Sequence, residues 1–127
     1  MPDLAPTIDG YINKINQSSW TNARDATSGT ANTTITRFAF AVRASRAIGR
    51  GGGFAYSVAR SFFEFDTSGI SVTPSDATLK IYGLAFNSAA KLFIVKANFS
   101  DGALANADFD AIVGWSNSGV NNISNVT

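Results

Sequence analysis

The side chains that could do chemistry in this chain are carboxylates and arginines, because its 127 residues include neither histidine nor cysteine. The commonest general base and all thiolate chemistry are therefore excluded. Two carboxylate pairs remain, Glu64 with Asp66 and Asp108 with Asp110, and such pairs carry glycoside hydrolysis in other proteins. Residues two apart on a strand share a face, but at a strand end they are more often solvated or cap a turn. We therefore predict no enzymatic activity.

Three aspartates in the second half of the chain, Asp101, Asp108 and Asp110, are the candidates for a metal site. Their hard carboxylate oxygens suit Ca²⁺. The alternative is that the acids near residue 108 are exposed at the start of a helix, where the helix dipole favours negative charge. The alternative is favoured, so we predict no cofactor and keep structural calcium as the weaker interpretation.

A glycine-rich stretch with three arginines, RASRAIGRGGGF at residues 43–54, could in principle cradle a phosphate. Glycine backbones bring N–H groups close to a ligand, and Arg43, Arg46 and Arg50 could each bind phosphate oxygens in pairs. However, the stretch has neither the Walker spacing nor G-x-G-x-x-G, and no helix follows it. The sequence favours an exposed loop over residues 44–53 that is mobile or becomes ordered only against a neighbouring chain or an acidic partner.

The composition around these residues is typical of one globular domain covering residues 1–127. The net charge is +1, so no overall field recruits nucleic acid or an anionic membrane. No apolar run approaches the roughly 20 residues that span a bilayer, and the start of the chain lacks the pattern of a signal peptide. We predict neither a nucleic-acid nor a membrane partner.

The strongest structural pattern is RSFFEFDTSGISVTPSDATLKIYGL, residues 60–84. Apolar and polar residues alternate in two runs separated by turn residues, which predicts two strands with one buried face. We expect the two strands to adjoin each other and to share one interior. Its predicted side chains are Phe63, Phe65, Leu79 and Ile81.

The same patterns place six strands and one helix along the chain. We predict strands near residues 11–15, 35–43, 54–65, 77–84, 91–97 and 120–126, and a short helix near 104–113. The polar stretch between residues 16 and 34 is long for a loop unless it binds something or carries an unrecognised strand. The 54–65 strand has large apolar groups on both faces, and we expect Phe54, Tyr56, Val58 and Phe62 to face a partner.

The segments RSFFEFDTSGI (residues 60–70) and SDATLKIYG (residues 75–83) resemble a signature of β-sandwich repeats in bacterial and archaeal surface proteins. These repeats are similar to carbohydrate-binding modules and include the disaggregatase-related (DNRLRE-type) domains. Related sandwiches occur in structural proteins of tailed phages, and DFDAIVGW at residues 108–115 is similar to segments of those proteins. The resemblance covers roughly residues 55–115, with DGYI at 9–12.

This resemblance implies an all-β fold, an antiparallel, jelly-roll-like β-sandwich. Its signature residues are structural, so they indicate the fold better than an activity. A two-sheet sandwich usually needs about seven or eight strands, which is more than the chain offers. We therefore expect a partner chain to supply the difference, through an extended arm at residues 1–8 or through the segment after Val120.

Two functions follow from the resemblance. The first is a non-enzymatic structural protein of a phage virion, such as a capsid, tail or fibre subunit, that forms homo-oligomers and contacts other virion proteins. Its predicted partner surface contains Arg43, Arg46 and Arg50 with the apolar residues of the 54–65 strand. The second is a carbohydrate-binding module of a cell-surface or secreted protein. Its candidate aromatic platforms for a sugar are Trp20, Tyr56, Tyr82 and Trp115.

Overall fold

The computed structural model describes residues 3–33, 42–80, 93–99 and 102–115. Within them, four strands form one antiparallel sheet: β1 (Ile8–Gln17), β2 (Thr30–Asn32), β3 (Arg43–Ile48) and β4 (Phe54–Glu64). The strand order is β2-β1-β4-β3, and two short helices, α1 (Trp20–Arg24) and a 3-10 helix (Asn106–Asp110), accompany the sheet. The predicted all-β class is confirmed. The second sheet that a sandwich requires is not formed by the described residues.

The first strand is longer than its sequence pattern indicated. It pairs with β4 from Ile8 opposite Glu64, and the backbone N–H of Thr7 donates to the Glu64 carbonyl at 2.8 Å. Ile8 therefore belongs to the sheet and not to an extended arm. Near the other end a bulge shifts the register, and Asn16 there has a φ of 56°. Asparagine tolerates this left-handed conformation better than most residues.

The polar stretch between residues 16 and 34 contains α1, which the sequence patterns missed, and β2, an unrecognised strand of the kind that its length left open. The Ser19 hydroxyl caps α1 by accepting a hydrogen bond from the Asn22 N–H at 3.1 Å, and Ala23 is fully buried. Between the two elements, a Cβ on Gly29 would lie 2.6 Å from the Asn13 carbonyl oxygen. Only glycine lets the chain pass this close to β1.

A hairpin joins β3 to β4, with pairs running from Arg43 opposite Ala59 to Ile48 opposite Phe54. The Gly49 N–H donates to the Gly53 carbonyl at 2.7 Å, and Gly52 has a φ of 79°. This is a three-residue hairpin loop whose last residue is left-handed. The prediction of a loop over residues 44–53 is therefore wrong for 44–48, which form a strand, although all but Ser45 in that strand are exposed.

The core lies on one face of the sheet, beneath α1 and the segment around the 3-10 helix. The Phe62 ring packs edge-to-face on Phe99, with 5.3 Å between the ring centres. Leu104 and Phe109 enter the core from the segment around the 3-10 helix. The buried apolar residues of this core are Ile12, Ala23, Val58, Phe62, Phe99, Leu104 and Phe109.

The core residues predicted on β4 lie on the face opposite the observed core. Val58 and Phe62, expected to face a partner, are 8% and 4% exposed inside the core. Phe63 is half-buried and stacks on Phe65, away from the core. Leu79 is 40% exposed. Because Phe62 and Phe63 are adjacent and both aromatic, alternation alone could not choose between the two faces.

Two predicted strands are also wrong within the described ranges. Residues 77–80 are exposed and form no strand. In the 91–97 segment, predicted to be buried, Phe93 and Ile94 are 60% and 75% exposed, and a single bridge joins Ala97 to Ile112. The predicted helix at 104–113 is limited to the 3-10 helix. Residues 35–41, 81–84, 91–92 and 120–126 of the predicted strands lie outside the described residues.

Candidate interaction site

The outer side of β3 is the candidate site, because β3 is the last of the strands that the described residues form, in the order β2-β1-β4-β3. Hydrogen-bonded and non-hydrogen-bonded pairs alternate along an antiparallel ladder. Gly49 bonds to Gly53 at the hairpin end, so alternation also directs the backbone groups of Arg43, Ser45 and Ala47 towards β4. The backbone groups of Ala44, Arg46 and Ile48 consequently point outward. We call residues 42–48 the open edge.

The side chains of the open edge and its hairpin leave a large apolar surface in solvent. Val42 is 61% exposed, Ile48 is 76% exposed and Phe54, opposite Ile48, is 50% exposed. Ile48 and Phe54 lie on the same face of the sheet as the buried Val58 and continue the apolar face beyond the core. No described residue outside the hairpin covers them.

The hairpin is also strongly basic. Arg43, Arg46 and Arg50 all lie in it and are exposed. The sequence contains no acidic residue from 26 to 63, so no neighbour along the chain neutralises them. The Arg46 guanidinium lies over the Phe54 ring, 4.3 Å from its centre. This cation–π contact directs the charge along the face of the sheet and away from the outward backbone groups of β3.

The opposite edge of the sheet, formed by β2, is covered. Asn106 accepts two hydrogen bonds there, one from the Gly29 N–H to its backbone oxygen at 2.9 Å and one from the Ala31 N–H to its side-chain Oδ1 at 2.8 Å. Both N–H groups point away from β1. The start of the 3-10 helix therefore occupies the outer side of the three-residue strand.

A half-buried arginine of β4, Arg60, holds the covering segment on the sheet. The Arg60 guanidinium donates to the carbonyl oxygens of Phe109 and Arg24, the latter at 2.7 Å, and lies 4.2 Å from the centre of the Phe109 ring. Burial lowers the pKa of Arg60, while the nearby carboxylates of Asp110 and Asp25 oppose the shift. Sequence reasoning missed this residue, because nothing in its strand pattern distinguishes it from an exposed polar position.

The aromatic candidates for a sugar platform are separated in the fold. Trp20 is 39% exposed on α1, whereas Trp115 is half-buried with its ring 5.1 Å from the Arg60 guanidinium. Tyr56 packs against the core, and Tyr82 lies outside the described residues. The structure therefore gives no shared aromatic surface for these four side chains within the part of the chain it describes.

The predicted carboxylate and metal candidates do not converge in the described ranges. Asp108 Oδ2 accepts from the Ala105 N–H at 2.7 Å at the start of the 3-10 helix, and Asp101 lies outside the described residues. No three acidic side chains of the described part form a group that could hold a metal ion. Asp66 Oδ1 accepts from the Ser68 N–H at 2.9 Å, which is the turn-capping role expected for a strand-end carboxylate. Hydrogen bonds from the Ser68 side chain and backbone lower the pKa of Asp66.

A shallow groove lies on the sheet face opposite the core. Its volume is about 160 Å³, and small side chains of β4, Ser57 and Ala59, form its floor. Tyr11 and Asn13 of β1 stand on one side and Arg43 of β3 on the other. The Tyr11 hydroxyl accepts a hydrogen bond from the Asn32 amide at 3.0 Å. An amide, a guanidinium and a phenol thus surround one concave surface.

Comparison of the chain with protein-family models, with curated proteins and with solved structures finds no match. The resemblance to surface-protein and phage sandwiches therefore stays a prediction. Neither helix in the described part of the chain has the length and apolar character needed to cross a membrane.

Proposed function

We propose that this chain is a non-enzymatic structural subunit of a phage virion, a capsid, tail or fibre protein that assembles with further copies through strand contacts. The observation that carries the proposal is the open edge: a six-residue strand in which the backbone groups of alternate residues point outward, beside an exposed apolar surface. The resemblance of residues 108–115 to segments of phage structural proteins supports the virion setting.

Edge strands recruit other strands unless the protein protects them. Common protections are short strands, bulges, prolines and charges that point inward. The β3 strand is six residues long, contains no proline and pairs with β4 without a register shift. Charged side chains on an edge also oppose pairing, and among the described residues the arginines are the protective feature of β3. Arg46 is held over Phe54 by the cation–π contact. An edge strand of this kind is typical of a protein whose sheet is extended by a strand of a neighbouring chain.

The assembly proposal is tested by measuring the mass of the purified chain over a range of concentrations, by sedimentation and native mass spectrometry. We expect oligomers that dissociate on dilution and that appear as regular particles, rings or fibres in electron micrographs. Ile48→Lys places a charge at the open edge and is expected to shift the protein towards monomer. Val72→Lys is the matched control, because Val72 is 75% exposed and lies outside β3.

Two results would contradict the proposal. The first is an unaltered chain that remains monomeric at its highest soluble concentration. The second is an equal loss of assembly in Ile48→Lys and Val72→Lys, which would remove the open edge from the explanation. Circular dichroism of both variants establishes that each keeps its strands.

A carbohydrate-binding module is the second candidate, and the groove beside Asn13 and Arg43 is the observation that favours it. Amide and guanidinium groups donate hydrogen bonds to sugar hydroxyls, and a phenol adds an amphipathic surface. Titration of mono- and oligosaccharides, followed by calorimetry, would show saturable binding that Asn13→Ala abolishes and Trp20→Ala does not. Absence of binding across a broad glycan panel would leave only the assembly proposal.

A further inference from the structure

We infer that the open edge binds an acidic, extended segment of a different protein, which joins the sheet as an antiparallel strand outside β3. The segment carries two carboxylates three positions apart, one for Arg43 and one for Arg46. This inference goes beyond the proposed function, because the partner is not a copy of this chain. A copy and the acidic segment would compete for the same edge.

The charge of the open edge selects the chemistry of the partner. Arg43, Arg46 and Arg50 are exposed, and the sequence has no acidic residue from 26 to 63. A basic strand beside them is repelled, whereas opposite charges on facing strands stabilise the pair. The arginines that protect the edge against a copy therefore favour an acidic strand.

The placement of two arginines points to an extended segment and not to a single small anion. Arg46 lies opposite Tyr56, on the face of the sheet that carries the core, whereas Arg43 lies opposite Ala59, on the face that carries the groove. One phosphate or carboxylate cannot reach both faces. Strand residues an odd number of positions apart point to opposite faces. The spacing of three between the arginines therefore requires carboxylates three positions apart.

Both guanidinium groups keep hydrogen-bond donors for a carboxylate. The Arg46 group lies 4.3 Å from the centre of the Phe54 ring, and a cation–π contact leaves its N–H groups available. The Arg43 Nε donates to the Ser45 hydroxyl at 2.8 Å, and its two terminal nitrogens have no hydrogen-bond partner among the described residues. Each arginine can therefore bind one carboxylate on its own face of the sheet.

The backbone and one apolar side chain complete the description of the segment. The outward groups of Ala44, Arg46 and Ile48 supply main-chain hydrogen bonds to an added strand. Ile48 is 76% exposed and lies on the same face as Arg46, two positions away. The segment therefore carries an apolar residue two positions from the carboxylate that meets Arg46.

The 127 residues of this chain contain no such segment. Their nine acidic residues include two pairs that are two positions apart, Glu64 with Asp66 and Asp108 with Asp110, and no pair that is three positions apart. Carboxylates two apart on a strand share a face and reach only one of the two arginines. A copy of this chain consequently does not supply the partner strand.

A synthetic peptide with blocked ends, VTETVE, tests the inference. Paired antiparallel to β3, its first glutamate lies opposite Arg46, its second opposite Arg43 and its first valine opposite Ile48. The matched control VTETEV has the same composition and charge, but its two glutamates share one face. In NMR titrations of the chain, diluted until it is monomeric, VTETVE should bind saturably and VTETEV about two- to fivefold more weakly.

Amide hydrogen exchange distinguishes strand addition from a contact between side chains alone. At a peptide concentration about twenty times Kd, exchange of the Ala44, Arg46 and Ile48 N–H groups should slow about twentyfold. The Ser45 and Ala47 N–H groups already face β4 and should change little. This alternation is specific to a peptide that pairs with the outer side of β3.

A charge reversal tests the pairing at one position. Arg43→Glu should weaken binding of VTETVE, and the peptide VTETVK should restore it. Arg46→Glu is the control, because VTETVK places its lysine opposite position 43 and should not restore binding to that variant. Unchanged amide spectra outside the hairpin establish that both variants keep the fold.

Each outcome discriminates. Equal binding of VTETVE and VTETEV, or of a short single-stranded oligonucleotide of the same charge, overturns the inference, because it reduces the contact to a general attraction for anions. Binding without the alternating protection overturns strand addition. Absence of peptide binding overturns the inference and leaves assembly of copies standing. Specific binding by a chain that is monomeric at every concentration upholds the inference and contradicts the proposed assembly.

Discussion

The two edges of the sheet differ in how they are covered by the rest of the described chain. At β2, three residues of strand are covered by Asn106, which accepts from the backbone at Gly29 and Ala31. At β3, a strand of six residues, the outward backbone groups of Ala44, Arg46 and Ile48 have no partner among the described residues, and the Ile48 side chain is 76% exposed. Both edges belong to the same sheet and share the same core. Their difference therefore lies in the side chains and segments that each edge recruits.

An arginine stacked on a phenylalanine accompanies each edge, and the two pairs show what the difference depends on. Arg60 is half-buried, lies over the buried Phe109 ring and donates to two carbonyl oxygens, so it fixes the covering segment. Arg46 lies over Phe54 in solvent, and its one described interaction is that stacking contact. The Arg60–Phe109 pair holds the segment that covers the β2 edge, because Arg60 is partly removed from water and hydrogen-bonded. The Arg46–Phe54 pair stays in solvent and leaves the β3 edge uncovered.

The largest effect is expected from Arg60→Ala. It removes the donor from the Phe109 and Arg24 carbonyls and the cation from the carboxylates of Asp25 and Asp110. A hydrogen bond from a charged donor contributes about 1.5–3 kcal/mol, so the loss of both is expected to cost about 3–6 kcal/mol. The free energy of unfolding, measured by denaturant titration, should fall by that amount. In contrast, Arg46→Ala should change it by less than about 1 kcal/mol. Equal losses in the two variants would contradict the distinction drawn between the two pairs.

A smaller effect is expected from Asn106→Ala, which uncovers the β2 edge by removing the side-chain acceptor of Ala31. The net worth of one such hydrogen bond is about 0.5–1.5 kcal/mol. Amide hydrogen exchange supplies the local readout: the Ala31 N–H should lose protection, while the Ala44 N–H of a dilute sample should exchange rapidly in both proteins. Protection of Ala31 that survives the substitution would show that the edge is covered by something other than Asn106.

The smallest effect is expected at the turn after β4 and concerns pH. Because hydrogen bonds from Ser68 lower the pKa of Asp66, this carboxylate stabilises the folded state above its unfolded pKa of about 3.9. The stabilisation is lost as the pH falls through the folded pKa. Asp66→Asn keeps an acceptor but not the charge, so its melting temperature should lie slightly below that of the unaltered chain at neutral pH.

The same comparison in acid is the control for this prediction. The two melting temperatures should converge as Asp66 becomes protonated. Assembly at the open edge should not follow the titration, because arginine stays charged throughout this range. A difference between the two proteins that persists unchanged in strong acid would contradict the assigned cause.

The parts of the fold that could be predicted from sequence are those with strong local patterns. The strand predicted at 54–65 is confirmed as Phe54–Glu64, and the β1 strand contains the predicted 11–15 segment. The turn role of Asp66 could also be predicted, because a carboxylate before Thr-Ser-Gly accepts backbone bonds locally. In each case the structure follows from interactions between residues close in sequence, or from side chains that alternate with a single period.

The parts that could not be predicted depend on contacts between distant segments. Arg60 looked like any exposed polar residue of a strand, and only its contacts with Arg24 and Phe109 make it structural. The covering role of Asn106 could not be recognised either, since its partners lie more than seventy positions earlier in the chain. At the candidate site, the arginines were recognised but their strand was not, because glycine and arginine are weak indicators of β structure.

The glycine turn at residues 49–53 also has a consequence for the order in which the chain folds. Pairing of β3 with β4 closes only this short turn, whereas pairing of β1 with β4 must first close a long loop, which costs more chain entropy. Isolated hairpins form in about 1–10 μs, well before contacts between distant segments accumulate. The open edge is therefore expected to exist before the core does. During synthesis or refolding at high concentration, the first strand available to β3 belongs to another unfinished chain, and folding yield should fall as concentration rises.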